Sequence, residues 1–217
     1  MTLRGGGRAP RLTRTCPVNV NDSEVVLSVL TDSGYTLTED CTSADVLLIN
    51  TCAIRDKAEQ RIWQRLAYFR SLRLGAVVGV LGCMAERVKS QLLEADRLAD
   101  LVAGPDAYRD LPRLISAVAS GSGKEMNVQL SAEETYGDIL PVRPAGAKAA
   151  FVTIMRGCDN ACAFCIVPFV RGRERSRDPD SICYEVRGSS FFPSSFSLCF
   201  ASLSGVCCRC GCCPRRA

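Results

Sequence analysis

The 217-residue sequence contains no histidine. That absence removes the commonest general base and excludes Ser–His–Asp and Cys–His triads. It also leaves any zinc site without imidazole. No stretch approaches the roughly 20 apolar residues that cross a bilayer, so no membrane partner is expected. The opening residues do not read as a secretory signal, and the 14 cysteines are not spaced as an even disulfide framework. A reducing compartment with metal-bound thiolates suits them better.

Apolar residues make up 47% and charged residues 23%, enough to bury a core in one large domain or one and a half ordinary ones. Charge is uneven. Residues 1–140 carry 16 Lys+Arg against 18 Asp+Glu, and residues 141–217 carry 11 against 5, so −2 and +6 return the net +4. A basic second half suits an anionic partner such as RNA, but the bias is too small to identify one.

The most informative run is MRGCDNACAFCIVP at 155–168. Cys158, Cys162 and Cys165 offer three thiols to a cubane iron–sulfur cluster and leave its fourth iron without a protein ligand. A cluster held by four cysteines mainly carries electrons, whereas an open iron binds and activates a substrate. The spacing fits S-adenosylmethionine chelating that iron. A zinc knuckle is the plainer alternative, but zinc wants four ligands and this run supplies three.

Along the chain, the basic, acid-free segment 1–15 resembles part of an organelle presequence, although three consecutive glycines spoil an amphipathic helix. A helix start at 21–23 is expected, with Val25, Val26, Val29 and Leu30 buried. Apolar runs predict buried strands at 45–50, 76–81 and 98–103. Helices are expected at 54–73 (stripe Ala58, Ile62, Trp63, Leu66, Phe69), 85–93 and 108–119. Strands alternating with helices imply an α/β fold, a doubly wound parallel sheet covered on both faces. Residues 120–148, rich in Gly, Ser and Pro, read as a linker. A fresh strand at 150–155 leads into the cysteine run, and a helix is expected to begin at 181–187.

Cys52 and Cys83 each follow a predicted strand at the start of a helix. In a doubly wound sheet such junctions open on one edge, where ligands bind, and helix N-termini favour thiolate. The two cysteines, with Cys16 as a candidate third, either share a metal centre or are buried small hydrophobes.

The strings NVNDSE (19–24), NTCAIRDKAEQ (50–60), LGCMAER (81–87), DLVAGPDAYRDLP (100–112) and residues 156–177 together resemble the MiaB-like radical-SAM methylthiotransferases. RDKAE after the Asn-Thr-Cys favours the branch that acts on tRNA. The likeness runs from about residue 18 to 187.

It implies a methylthiotransferase domain at 16–119, a linker at 120–148 and the beginning of an incomplete radical-SAM (β/α) barrel at 149–187. It also implies two [4Fe–4S] clusters, one on Cys158, Cys162 and Cys165 with S-adenosylmethionine on its open iron, and an auxiliary one on Cys16, Cys52 and Cys83. The implied reaction methylates sulfur associated with the auxiliary cluster. A deoxyadenosyl radical then permits methylthio insertion into isopentenyladenosine beside the tRNA anticodon. An unactivated aromatic C–H bond demands such cofactor chemistry, and a single-stranded anticodon loop can splay its bases into a pocket. An electron donor is implied as partner, a protein partner is conceivable, and the location is mitochondrial, or cytosolic if the leader does not function.

Two departures stand out. The family shows Gly-Cys-Gln-Met-Asn where this chain reads TCPVN at 15–19, which makes Cys16 the least secure ligand. After Arg187 the family pattern stops. Residues 188–217 hold six cysteines and no Asp, Glu or Lys, which suggests an alternative or misjoined exon and a disordered tail. Its Cys207, Cys208, Cys210, Cys212 and Cys213 suit zinc or palmitate less well than aggregation. With 217 − 165 = 52 residues after Cys165, against the roughly 200 of a small barrel, the chain alone is expected to be an inactive, non-catalytic fragment that binds a cluster or a protein. Arg171, Arg173, Arg175 and Arg177 are RNA-contact candidates, or else a solvated basic loop. Cys41 and Cys183 look structural.

Overall fold

A computed structural model describes residues 2–4, 17–38, 40–53, 56–72, 75–89, 91–94, 98–143, 149–160 and 162–188. Strands β1 (Thr2–Arg4), β2 (Thr36–Leu37), β3 (Val46–Thr51), β4 (Val77–Gly82), β5 (Leu101–Ala103) and β6 (Glu125–Asn127) form one sheet in the order β2-β1-β3-β4-β5-β6. From β3 to β6 the pairing is parallel, and β1 runs antiparallel to both its neighbours. Between the strands lie α1 (Pro17–Asp32), α2 (Asp56–Leu72), α3 (Cys83–Val88), α4 (Gln91–Glu94) and α5 (Leu111–Ala119).

Successive strand side chains point to opposite faces, and two separate cores follow from that. Val46 and Leu48 of β3, Leu81 of β4 and Leu101 and Ala103 of β5 pack with Leu30 of α1 and Leu111 and Leu114 of α5. Leu47, Val78, Val80 and Val102 face the other way, onto Leu66 and Phe69 of α2, Met84 and Val88 of α3 and Leu92 of α4. Each fully buried Leu or Val contributes about 1.5–3 kcal/mol, which is why these strands carry apolar runs rather than alternation. Gly79 lies between two such leucines: a Cβ there would sit 2.5 Å from Leu48 Cδ2 and 3.0 Å from Leu101 Cδ2. The doubly wound parallel core expected from the sequence is thus present.

Several boundaries move. The single helix expected at 85–93 starts earlier, at Cys83, and is two short helices, with Lys89 at φ +48° between them. The strand expected at 98–103 shortens to β5, and the helix at 108–119 begins as a 3-10 turn, Tyr108–Asp110. In the supposed linker, β6 extends the parallel sheet and Tyr136 is buried. Thr2–Arg4, assigned to the leader, is a strand between β2 and β3.

After residue 149 come β7 (Met155–Arg156), α6 (Val167–Arg171), β8 (Arg175–Ser176) and α7 (Pro179–Gly188), with β7 antiparallel to β8. Of the strand expected at 150–155 only Met155 is extended into β7, which ends one residue further on at Arg156. Before it, Phe151 O accepts from Asn21 Nδ2 at 3.0 Å, whereas Ile154 O accepts from the Arg177 N–H at 2.9 Å and continues the β7–β8 pairing. The tail beyond Gly188 lies outside the described residues.

Candidate metal centres

Parallel pairing of Thr51 with Gly82 brings the ends of β3 and β4 level, so Cys52 and Cys83 leave adjacent strands on the same edge. Gly82 has φ +89°, and a Cβ there would meet Asn50 Oδ1 at 2.4 Å and Thr51 O at 2.6 Å. Only glycine permits that close passage into α3. Cys83 is buried and Cys52 half-buried in the loop before α2. Burial pushes the Cys83 thiol up, against the pull of Arg171, and the charges of Asp22 and Cys52 add to the rise. The lowering expected from a helix N-terminus is therefore reversed by desolvation. Cys16 lies outside the described residues.

The same edge holds buried amides with unused capacity. Asn50 Nδ2 donates to Asn19 O at 3.1 Å and Ser23 Oγ at 2.9 Å. Asn19 Nδ2 and Oδ1 and Asn50 Oδ1 have no hydrogen-bond partner among the described residues. Orphaned buried amides beside two thiols fit a bound polar group.

The second cysteine set is shaped by Gly157, at φ +72°, where a Cβ would fall 1.9 Å from the Arg173 carbonyl oxygen. Cys158 N–H then donates to Gly172 O at 3.2 Å, and Asn160 Nδ2 donates to the Cys158 sulfur at 3.3 Å. Cys158, Cys162 and Cys165 line one cavity of about 430 Å³, shared with Phe169 and Arg173. Among the described residues no three Cys, Asp or Glu side chains converge on one metal ion. A cubane asks for something else, because its irons occupy separate corners and its thiolates surround a volume. Three soft thiols around one cavity fit that demand.

The arginine series corrects the reading of a basic surface. Arg171, Arg175 and Arg177 are buried, and Arg173 alone of the four is exposed, 3.4 Å from Asp159. Arg171 Nη2 donates to Asp22 at 2.6 Å, and Arg156 Nη1 donates to the other oxygen of Asp22 at 2.9 Å. Arg175 donates to both oxygens of Asp106, at 2.8 and 3.2 Å, and Arg177 pairs with buried Glu185. Burial opposes ionisation of Asp22, yet Arg171 and Arg156 outweigh it and hold the carboxyl below the usual carboxylate range. Arg156 also lies 4.8 Å over the Tyr136 ring, which stacks on Tyr108. Finally, Arg171 Nε donates to the Cys83 sulfur at 3.1 Å.

The sequence reading took Asp22 as part of a helix start and gave Asp106, Arg156 and Tyr136 no role in the site. One signal was available: near the start of α1, four of the five residues 19–23 are polar, yet Asn19, Asn21, Asp22 and Ser23 are all buried. Cys41 and Cys183 are half-buried, Cys41 beside the core under α2. No helix of the described residues is long and apolar enough to cross a membrane.

Residues 12–104 match the uncharacterized protein family UPF0004. The chain is 56% identical over 188 residues to the tRNA-2-methylthio-N(6)-dimethylallyladenosine synthase of Amoebophilus asiaticus, covering 82% of this chain and 38% of that protein. It is 54% identical over 183 residues to the mitochondrial tRNA methylthiotransferase CDK5RAP1 of Rattus norvegicus, covering 81% of this chain and 31% of that protein. For the Homo sapiens protein of the same name the identity is 52% over 183 residues, covering 81% and 30%. The chain thus spans between about a third and two-fifths of the length of these curated relatives. More than half of its aligned residues, across some four-fifths of its length, are identical to those of MiaB-type tRNA methylthiotransferases.

Proposed function

We propose that this chain carries the two cysteine sets of a radical-SAM tRNA methylthiotransferase, which converts isopentenyladenosine beside the anticodon to its 2-methylthio derivative. The observation that carries the reading is the grouping of three thiols, Cys158, Cys162 and Cys165, around one cavity. They would hold a [4Fe–4S] cluster with one iron left for S-adenosylmethionine, and the barrel domain would begin at 149. Cys52 and Cys83, with Cys16, would hold the auxiliary [4Fe–4S] cluster. When bound, these groups supply the radical, sulfur and methyl chemistry that no side chain here offers.

The chain's own residues fix the geometry. Gly157 lets the cysteine loop close against the backbone of residue 173, and the Asn160 amide steadies the Cys158 sulfur. Phe169 walls the cavity with an exposed ring. Arg173, the accessible arginine, is the phosphate-contact candidate of its series. An electron donor completes the reaction, and a mitochondrial location is supported by the names of the rat and human relatives.

Anaerobic reconstitution with iron and sulfide tests the reading. The chain should bind about eight irons, and Cys158→Ala and Cys52→Ala should each remove about four, as expected for two cubanes. Deoxyadenosine released from S-adenosylmethionine under strong reductant, above a Cys158→Ala control, would show a working radical centre and overturn the expectation of an inactive fragment. Iron bound without deoxyadenosine would restrict the assignment to cluster binding, and a chain that retains no iron would overturn it.

A further inference from the structure

Arg171 ends α6, the helix that follows the Cys158–Cys165 loop, yet its side chain does not face that loop's cavity. It turns the other way, across to α3, against which α6 packs. Its guanidinium is held on one side by Asp22 at 2.6 Å, and its carbonyl accepts from Arg175 Nη2 at 2.8 Å. With the fork so fixed, Nε has one acceptor, the Cys83 sulfur at 3.1 Å. Both partners are buried: Arg171 is 7% and Cys83 7% exposed.

We propose that Arg171 is a positioning residue for the centre built on Cys52 and Cys83. Mounted on the segment that carries the other cysteine set, it grips the Cys83 sulfur and raises that centre's affinity for an electron. This rests on the reading of Cys83 as a cluster ligand. The physics is that of outer hydrogen bonds at metal sites. A cationic N–H donor withdraws charge from a thiolate sulfur and so favours the reduced, more negative state. Burial keeps the effect from being screened by water. Lysine is no substitute, because a point charge cannot reach the carboxylate and the sulfur through one rigid fork.

Arg177 provides the control. It lies on the same segment, equally buried and paired with Glu185, but has no bond to Arg171 or to a cysteine sulfur among the described residues. The full chain, with Cys158, Cys162 and Cys165 replaced by alanine so that one centre is read, is reconstituted and titrated potentiometrically by electron paramagnetic resonance. Arg171→Lys should lower the reduced-to-oxidised ratio at fixed potential about tenfold, a shift of about 59 mV for one electron. Arg177→Lys, which loosens the packing of the same segment, should leave the midpoint in place.

The unsubstituted centre supplies a reading that needs no variant to fold. With ¹⁵N-arginine incorporated, the reduced centre should show a ¹⁵N hyperfine coupling in pulsed measurements. An unchanged midpoint in Arg171→Lys, equal shifts in both variants, or no coupling would each overturn the proposal while leaving the cluster assignment intact. Failure of the parent to assemble any centre on Cys52 and Cys83 would overturn both.

Discussion

Replacing Asp22 by asparagine should be among the most damaging isosteric changes in this chain. Asp22 is fully buried and takes hydrogen bonds from Arg171 at 2.6 Å, Arg156 at 2.9 Å and the Tyr108 hydroxyl at 3.3 Å. Asparagine keeps the shape but leaves buried Arg171 without its carboxylate and Arg156 with only Asp106, 3.5 Å away. Breaking a buried pair in this way costs about 3–5 kcal/mol, a large part of the roughly 5–15 kcal/mol that holds a domain together. Urea unfolding followed by far-ultraviolet circular dichroism reads it. At a slope of about 2 kcal/mol per molar, the midpoint should fall by about 1.5–2.5 M.

The exposed clamp of Arg109 with Glu134 and Asp138 serves as the comparison, and Arg109→Ala should cost less than about 1 kcal/mol. The pH dependence carries the sign. Because Arg171 and Arg156 overcome burial and depress the folded pKa of Asp22, its contribution is complete above the unfolded value of about 3.9. It is lost as pH falls below that value, through the folded pKa. The gap in stability between the parent chain and Asp22→Asn should therefore narrow on acidification below about pH 4. A loss no larger than that of Arg109→Ala would refute the reasoning.

Three further outcomes follow from single contacts. Gly157→Ala would drive a Cβ to 1.9 Å from the Arg173 carbonyl oxygen, so iron retained on Cys158, Cys162 and Cys165 should drop sharply in a metal assay while the far-ultraviolet spectrum persists. Gly79→Ala overpacks the sheet between Leu48 and Leu101; at a cost of about 2 kcal/mol it should lower the melting temperature by about 4–8 °C. Tyr136→Phe leaves the buried Tyr108 N–H without the hydroxyl it donates to at 3.1 Å, whereas Pro105 O keeps Arg156. Urea unfolding should register about 1–3 kcal/mol.

The parallel core was legible because its strands are apolar on both faces, and the two cores sort Leu47 from Val46 and Leu48 as a period of two requires. Cys52 and Cys83 leave the same edge for the same reason: parallel strands in register end together. Where periodicity gave no signal, the reading failed. β6 is Glu-Met-Asn, a strand held by pairing with β5 rather than by an apolar run. The apolar segment at 150–155 looked like a full ladder strand, but Asn21 takes the Phe151 carbonyl and pairing with β8 is confined to its end. The alternating arginines looked solvated because their acids are distant in sequence: Asp22 lies 149 residues from Arg171 and Asp106 lies 69 from Arg175. No local pattern reports such a pairing.

That distance also indicates what the buried charges do. Buried ion pairs are on balance no more stabilising than well-packed apolar side chains, so net stability is a weak reason for this many of them. What arginine adds is direction, since its planar fork accepts few orientations of a carboxylate. Here the forks of Arg156, Arg171 and Arg175 all come from the segment bearing Cys158, Cys162 and Cys165. The carboxylates of Asp22 and Asp106 come from α1 and from the loop after β5. Sliding the cysteine loop along the sheet edge would strip at least one of those carboxylates of its cation inside the protein. The cysteine loop is therefore held in one position against the sheet edge that carries Cys52 and Cys83. The reaction proposed above would depend on such a fixed placement, because misplacement of even about 1 Å can cost about 100-fold in rate.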